Sequence, residues 1–238
     1  MSRGFDHIEA WVFDLDNTLY PASCRLFGQI DQRMAEFIGA LLKVDRAEAK
    51  RIQKGFFHEH GTTLRGLMTV HGIAPEAFLK FVHDIDHSAV PAAPELALAL
   101  KTLPGRKLVF TNGTCYHAER VLDRLGIREL IDDVFDIVHC GFIPKPQREP
   151  YVKFVERTGI APERAAMFED IARNLEPPHE LGMTTVLVQS PENTDGNIIN
   201  APLGNPAAAP FIDHVTSDLA GFLAAIAAVL GNRPGALK

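Results

Sequence analysis

The chain holds no C-x-x-C pair. Its three cysteines, Cys24, Cys115 and Cys140, are odd in number and lie far apart, with no metal-site spacing. That excludes a disulfide framework and a structural zinc knuckle, and it points to a reducing, cytoplasmic setting. Long apolar runs are also lacking. The longest, near Leu219–Leu230, is shorter than the roughly 20 residues that span a bilayer, and it reads as a C-terminal helix on the core. Met1 to Glu9 carries Arg3, Asp6, His7 and Glu9 without an apolar stretch, so a leader peptide is not expected. Positive charge is not in excess either: 24 Lys+Arg stand against 30 Asp+Glu, a net charge of −6. A mildly acidic chain has no electrostatic hold on a nucleic-acid backbone. G-x-G-x-x-G, G-K-[ST] and G-x-S-x-G are all absent.

What remains is globular in proportion, with 46% hydrophobic and 23% charged residues over 238 positions. Trp11-Val12-Phe13, Lys107–Thr111, Arg164–Phe168 and Met183–Gln189 read as buried parallel strands, Val134–His139 as a further one and Ile212–Val215 as a weak one. Helical patterns at Glu95–Leu103, Tyr116–Leu125, Pro150–Thr158 and Asn174–Leu181 alternate with them. The fold class is therefore α/β, a doubly wound parallel-sheet, Rossmann-like core. Residues 21–90 differ. They carry amphipathic helical runs at Phe27–Leu42, Asp45–His60, Thr63–Val70 and Pro75–His87, with Asp45 and Glu48 spaced as a capping box. They read as an all-helical cap domain inserted into a core of residues 1–20 and 91–238, with Val90–Pro94 as the return linker. Ser190–Pro210, rich in Pro, Asn, Gly and Ala, reads as a long surface loop.

Ligands of open α/β sheets bind beyond the carboxyl ends of the strands, and four such ends carry polar groups. Asp14 and Asp16 follow the first strand. Two carboxylates so close can divide attack on an electrophile from proton transfer, with a cation to keep both ionised; helix or turn capping is the plainer use. Thr111-Asn112-Gly113 offers a hydroxyl and exposed N–H groups to an anion. Lys145, between Pro144 and Pro146, can aim an ammonium at one, although most loop lysines are merely solvated. Glu169-Asp170 supplies the hard oxygen donors that suit magnesium, or else caps the next helix. The four sites together, in order and each at a strand end, are more specific than any alone.

This constellation resembles that of haloacid dehalogenase superfamily hydrolases, whose D-x-D-x-T pattern is matched by Asp14, Asp16 and Thr18. The likeness extends over the whole chain, helical insert included. Phe13–Pro21, Gln29–Met34 and Phe168–Leu175 are similar to runs of the pyrimidine 5′-nucleotidase branch. The resemblance implies a Mg2+-dependent phosphomonoesterase acting through an aspartyl-phosphate. Asp14 would be nucleophile and metal ligand. Asp16 would be the acid/base and touch the metal through its carbonyl. Thr111 and the Asn112 N–H would bind phosphate, Lys145 would neutralise charge, and Asp170 would bind metal, with Glu169 acting through water. Asn174 stands where many relatives have a second aspartate and is expected to support the loop. The implied partner is a small phosphorylated metabolite, a pyrimidine nucleoside 5′-monophosphate first. A phosphatase for phosphoglycolate or a sugar phosphate, a phosphomutase, a haloacid dehalogenase and a non-enzymatic binding module are the alternatives. Oligomeric state is left open.

Some signals weigh against their sharper readings. His58 with His60, and His83 with His87, have metal-like spacing but no third ligand. Cys115 reads as a small packed residue, and Phe56, Phe57, Phe78 and Phe81 as core of the insert.

Overall fold

The computed structural model describes residues 3–190, 200 and 205–231. Its centre is a six-stranded parallel sheet: β1 (Ala10–Phe13), β2 (Arg106–Phe110), β3 (Asp133–Phe135), β4 (Ala165–Glu169), β5 (Thr184–Val188) and β6 (His214–Thr216), in spatial order β3-β2-β1-β4-β5-β6. Every residue of β1, β4 and β5 is buried, as expected of strands covered on both faces. Along β1, Trp11 and Phe13 face one apolar layer and Ala10 and Val12 the other. The first layer is completed by α5 (Pro94–Thr102), α6 (Cys115–Leu125) and α9 (Leu219–Gly231), where α9 packs on α5 as the C-terminal apolar run implies. The second takes in α7 (Arg148–Thr158) and the turn before α8 (Glu176–Glu180).

Between β1 and β2 lie α1 (Leu26–Leu42), α2 (Arg46–His60), α3 (Thr63–His71) and α4 (Pro75–Val82), with no strand among them. Asp45 caps α2 by accepting the Glu48 N–H at 2.9 Å. The capping box is only half formed, because the Glu48 carboxylate turns to Arg51. Gly66 lets α3 close on α2, since a Cβ there would sit 2.4 Å from Phe56.

Several boundaries differ from the sequence reading. The strand expected over Val134–His139 stops at Phe135. Asp136 then accepts the N–H groups of Val138, His139 and Cys115, which fixes a turn despite the apolar Ile137 and Val138. The helix expected over Pro75–His87 ends at Val82. His83 caps it and His87 opens a 3-10 turn, His87–Ala89, so the two histidines share no helix face. The segment from Asn174 starts as a 3-10 turn, Ala172–Leu175, before α8. The expected loop over Ser190–Pro210 falls largely outside the described residues. Within it Asn200 is buried, not at the surface, and Pro206–Ala208 is a 3-10 turn.

Candidate active site

The sheet brings the candidate residues together through register. Phe13 lies opposite both Val109 and Phe168, so Asp14 emerges between the ends of β2 and β4. Its N–H continues the ladder to the Phe168 carbonyl at 2.9 Å, and Thr111 N–H does the same to Phe135 at 3.0 Å. From β1 the chain runs outward through β2 and β3 on one side and through β4, β5 and β6 on the other. The site therefore sits at the topological switch point, where crevices form in such sheets.

Lys145 is the link between these ends. It is buried, and its Nζ donates to Asp14 Oδ1 (2.8 Å), Glu169 Oε2 (2.7 Å) and the Phe110 carbonyl (2.9 Å). Burial works against the ammonium, but Asp14 and Glu169 outweigh it and hold it protonated well beyond its usual range. A solvated loop lysine is thus excluded. The Asn112 side chain clamps this loop: its Oδ1 accepts the Lys145 N–H at 2.9 Å and its Nδ2 reaches the Lys145 carbonyl at 3.4 Å.

The other Asp14 oxygen accepts the Thr18 hydroxyl at 3.0 Å. Asp14, Glu169 and Asp170 are all buried, and one carboxylate oxygen of each falls within 4.8 Å of the others. Three carboxylates crowd together in a desolvated place, with the Lys145 ammonium between two of them and the Arg173 guanidinium near Glu169. Burial, then Glu169, pushes the Asp14 carboxyl up to about 7 in spite of Lys145. An all-oxygen set with surplus charge fits a hard divalent cation such as magnesium. Glu169, like Asp14, has a donor on each oxygen, since its Oε1 also accepts the Ile171 N–H. The Asp170 carbonyl is tied to Asn200 Nδ2 at 2.9 Å.

Asp16 stands slightly apart. Tyr20 Oη donates to its Oδ1 at 2.6 Å, and His117 Nε2 lies 2.8 Å from the same oxygen. Burial pushes this carboxyl up, but His117 and Tyr20 outweigh it and hold it below the usual carboxylate range. Thr111 is buried and its hydroxyl accepts the Gly113 N–H at 2.8 Å. Gly113 suits a crowded position: a Cβ there would lie 3.2 Å from Thr111 Oγ1 and 3.3 Å from the His117 ring, so both would have to yield slightly. Asn174 braces the loop through its carbonyl, which accepts the Tyr151 hydroxyl at 2.7 Å. Its buried side-chain Oδ1 has no partner among the described residues.

Over these groups lies a cavity of about 290 Å³. Its floor is Asp14, Asp16, Thr111, Asn112, Lys145, Glu169 and Asp170. Its roof comes from the helical insert and is mostly apolar, with Phe27, Ile30, Met34, Phe57, Leu64 and Leu79. Phe56 and Phe78 are buried core, whereas Phe57 also meets Arg173, whose guanidinium carbon is 5.1 Å from its ring centre.

His117 and Tyr20 were not among the expected site residues. His117 lies in the first turn of α6, capped by Thr114, directly after the Thr111-Asn112-Gly113 loop. That position was the available signal. A second donor group, Cys115, Asp136 and His139, is used structurally: both Asp136 oxygens hold backbone N–H groups, and burial, with Asp136 beside it, pushes the Cys115 thiol up to about 12.

The model of haloacid dehalogenase-like hydrolases matches residues 8–182, and the chain belongs to that family. Among curated proteins it is 28% identical over 202 residues to phosphate metabolism protein 8 of Saccharomyces cerevisiae, covering 75% of this chain but 61% of that one. It is 26% identical over 205 residues to a glyceraldehyde 3-phosphate phosphatase of Methanocaldococcus jannaschii, covering 76% and 85%. Among solved structures, the L-2-haloacid dehalogenase of Xanthobacter autotrophicus superposes with a TM-score of 0.54 over 95% of this chain and all of that one, at 16% identity. No described helix is long and apolar enough to cross a membrane.

Proposed function

We propose that the protein is a magnesium-dependent phosphomonoesterase in which Asp14 attacks phosphorus and Asp16 moves the proton. The observation that carries this reading is the buried Lys145, held at once by Asp14 and Glu169 across the ends of three strands. Phosphoryl transfer asks chiefly for positioning and charge neutralisation. The fixed ammonium supplies both beside the attacking carboxylate. Thr111 and the Asn112 N–H hold phosphoryl oxygens. Asp14, Asp170 and the Asp16 carbonyl would hold magnesium, which would neutralise phosphate charge, and Glu169 would act through water; the carboxylates of Asp14, Glu169 and Asp170 already lie together. Asp16 protonates the departing oxygen and then takes a proton from the water that hydrolyses the aspartyl-phosphate. The dehalogenase alternative has no use for an acid at Asp16.

Residues 21–90 act as a cap that covers the substrate and selects the leaving group. Its apolar underside favours a leaving group with an apolar face, and the similarity of Phe13–Pro21 and Gln29–Met34 to pyrimidine 5′-nucleotidases makes a pyrimidine nucleoside 5′-monophosphate the first candidate. A small sugar phosphate is the second, favoured by the similarity to archaeal proteins named glyceraldehyde 3-phosphate phosphatase. Steady-state kinetics on UMP, CMP, AMP, glyceraldehyde 3-phosphate, phosphoglycolate and hexose phosphates separate them. Pyrimidine nucleotides are expected to rank first in kcat/KM; triose phosphate in first place replaces the nucleotide reading, and isomerised product without free phosphate replaces the phosphatase reading with a mutase.

A further inference from the structure

We propose that His117 positions Asp16 so that Oδ2, and not Oδ1, is the oxygen that exchanges the proton, and that His87 in turn steers His117. The inference rests on the phosphatase reading above. Both donors that reach the Asp16 side chain, Tyr20 Oη and His117 Nε2, fall on Oδ1. Among the described residues no protein donor reaches Oδ2, which is left facing the loop of Thr111-Asn112-Gly113, 3.8 Å from where a Cβ on Gly113 would stand. A carboxylate held at one oxygen by two donors keeps its other lone pairs for the reaction.

The hydrogen-bond directions follow outward from Asp16. Oδ1 accepts both when Asp16 is ionised and when it enters the reaction with its proton on Oδ2, so His117 Nε2 must carry hydrogen in either state. His117 Nδ1 lies 3.1 Å from His87 Nε2. In neutral His117 the Nδ1 is bare and accepts from His87; in protonated His117 that second bond reverses, and the bond to Asp16 keeps its direction either way. His83 stacks on His117 with ring centres 4.8 Å apart and planes 14° from parallel. Burial, with His117 beside it, drives His83 down to about 3, so it packs as a neutral plate. The Thr114 hydroxyl meets His83 Nδ1 at 3.1 Å and fixes that plate. His83 and His87 both belong to the segment that returns from the helical insert to the sheet, so the orientation of Asp16 depends on how that segment is seated.

In the reaction, the Oδ2 proton passes to the ester oxygen as the P–O bond breaks and the bond from Asp14 forms. Oδ2 takes a proton back as water attacks phosphorus and releases Asp14 and phosphate. Losing the His117 donor lets the carboxylate turn and weakens only the steps that need that proton. The test measures the rate of Asp14 phosphorylation in single turnovers with magnesium, on p-nitrophenyl phosphate, whose leaving group needs little protonation, and on glycerol 2-phosphate, whose alkoxide needs it fully. His117→Leu keeps volume and removes the donor; His117→Gln returns an N–H near the Nε2 position; His87→Leu acts at one remove; Asp16→Asn marks the ceiling. His117→Leu is expected to slow the alkyl ester about 10-fold more than the aryl ester, a part of the 10²–10⁴-fold that acid–base help supplies. KM should stay within about two-fold, most of the loss should be recovered in His117→Gln, and His87→Leu should shift the same ratio less. Equal slowing of both esters, or none, overturns the inference, as does failure of His117→Gln to recover the ratio. If His117→Leu gives no folded protein, an unchanged ester ratio in His87→Leu overturns it by itself. A wild-type chain inactive on both esters fails the phosphatase reading instead, a result distinct from an active wild type with indifferent variants.

Discussion

The floor and the roof of the cavity are built on opposite principles. On the floor, at the strand ends, charges are buried and accounted for bond by bond: Lys145 has three acceptors, Asp14 has a donor on each oxygen, and Asp16 has two donors on one. On the roof, Phe27, Ile30, Met34, Leu64 and Leu79 offer apolar surface with no directional demand. A buried polar network tolerates little change, because removing one partner strands the other in low dielectric. An apolar wall tolerates exchange of shape so long as volume and character persist. On the function proposed above, chemistry is therefore fixed on the sheet side, while selectivity can vary on the helical side with little cost to stability.

The hardest way to break this division is at Asp14. Asp14→Asn retains the shape and the Thr18 and Lys145 neighbours but removes the charge proposed to attack phosphorus. Turnover is expected to fall to the level of the wild type in chelator, for every ester alike, with the circular dichroism and thermal unfolding of a folded protein. Residual turnover that varies with the leaving group would mean that the roof contributes to the chemical step.

The next effect concerns the surplus charge of the floor. In the absence of metal the folded chain binds the Asp14 proton more tightly than the unfolded chain, with a pKa raised from 3.8 to about 7. Stability in chelator should therefore fall as pH rises through that window. On the proposed metal site magnesium would bind the ionised form, so its stabilisation should grow over the same range. At about 100 times its Kd a ligand adds roughly 2.7 kcal/mol, which is several degrees in Tm for a chain of this size. Thermal melts with magnesium or chelator at pH 5 and pH 8 are expected to show the larger gap at pH 8. An equal gap at both would remove Asp14 from the metal site.

The same division explains what the sequence disclosed. Strands such as Ala165–Glu169 are short apolar runs that end abruptly in acid, and parallel register alone carries Asp14, Thr111 and Asp170 to one place. Local pattern shows Lys145 as a lysine between prolines, and its charge-neutralising role comes from the family resemblance; its burial depends on a loop clamp by Asn112 that no local pattern encodes. His117 was harder still. It sits behind a helix cap in a first turn, and its partners Asp16 and His87 come from segments far away in the chain. The apolar run extends past the end of β3 through Ile137 and Val138, while the Asp136 side chain captures the backbone and ends the strand. The roof could be seen as helical, but its choice of leaving group could not, since apolar side chains carry shape and little chemical identity.

The smallest predicted effect is the one that best sharpens the comparison, because it lies where roof meets floor. Phe57 of α2 lines the cavity and holds the guanidinium of Arg173, which follows β4. Phe57→Leu keeps most of the apolar area and loses the ring face. A cation–π contact of this kind is worth about 0.5–1 kcal/mol at a partly exposed site, or roughly two- to five-fold in an equilibrium constant. Since Phe57 reaches neither Asp14 nor Asp16 by any hydrogen bond, the loss should fall on how firmly the roof is held over bound substrate. KM for the preferred substrate is expected to rise by about that two- to five-fold, with kcat changed by less than about two-fold. Phe57→Ala, which also opens apolar space, should raise KM further and still spare kcat. If kcat falls in step with the rise in KM, seating of the helical insert is part of the chemical step, and floor and roof act as one unit.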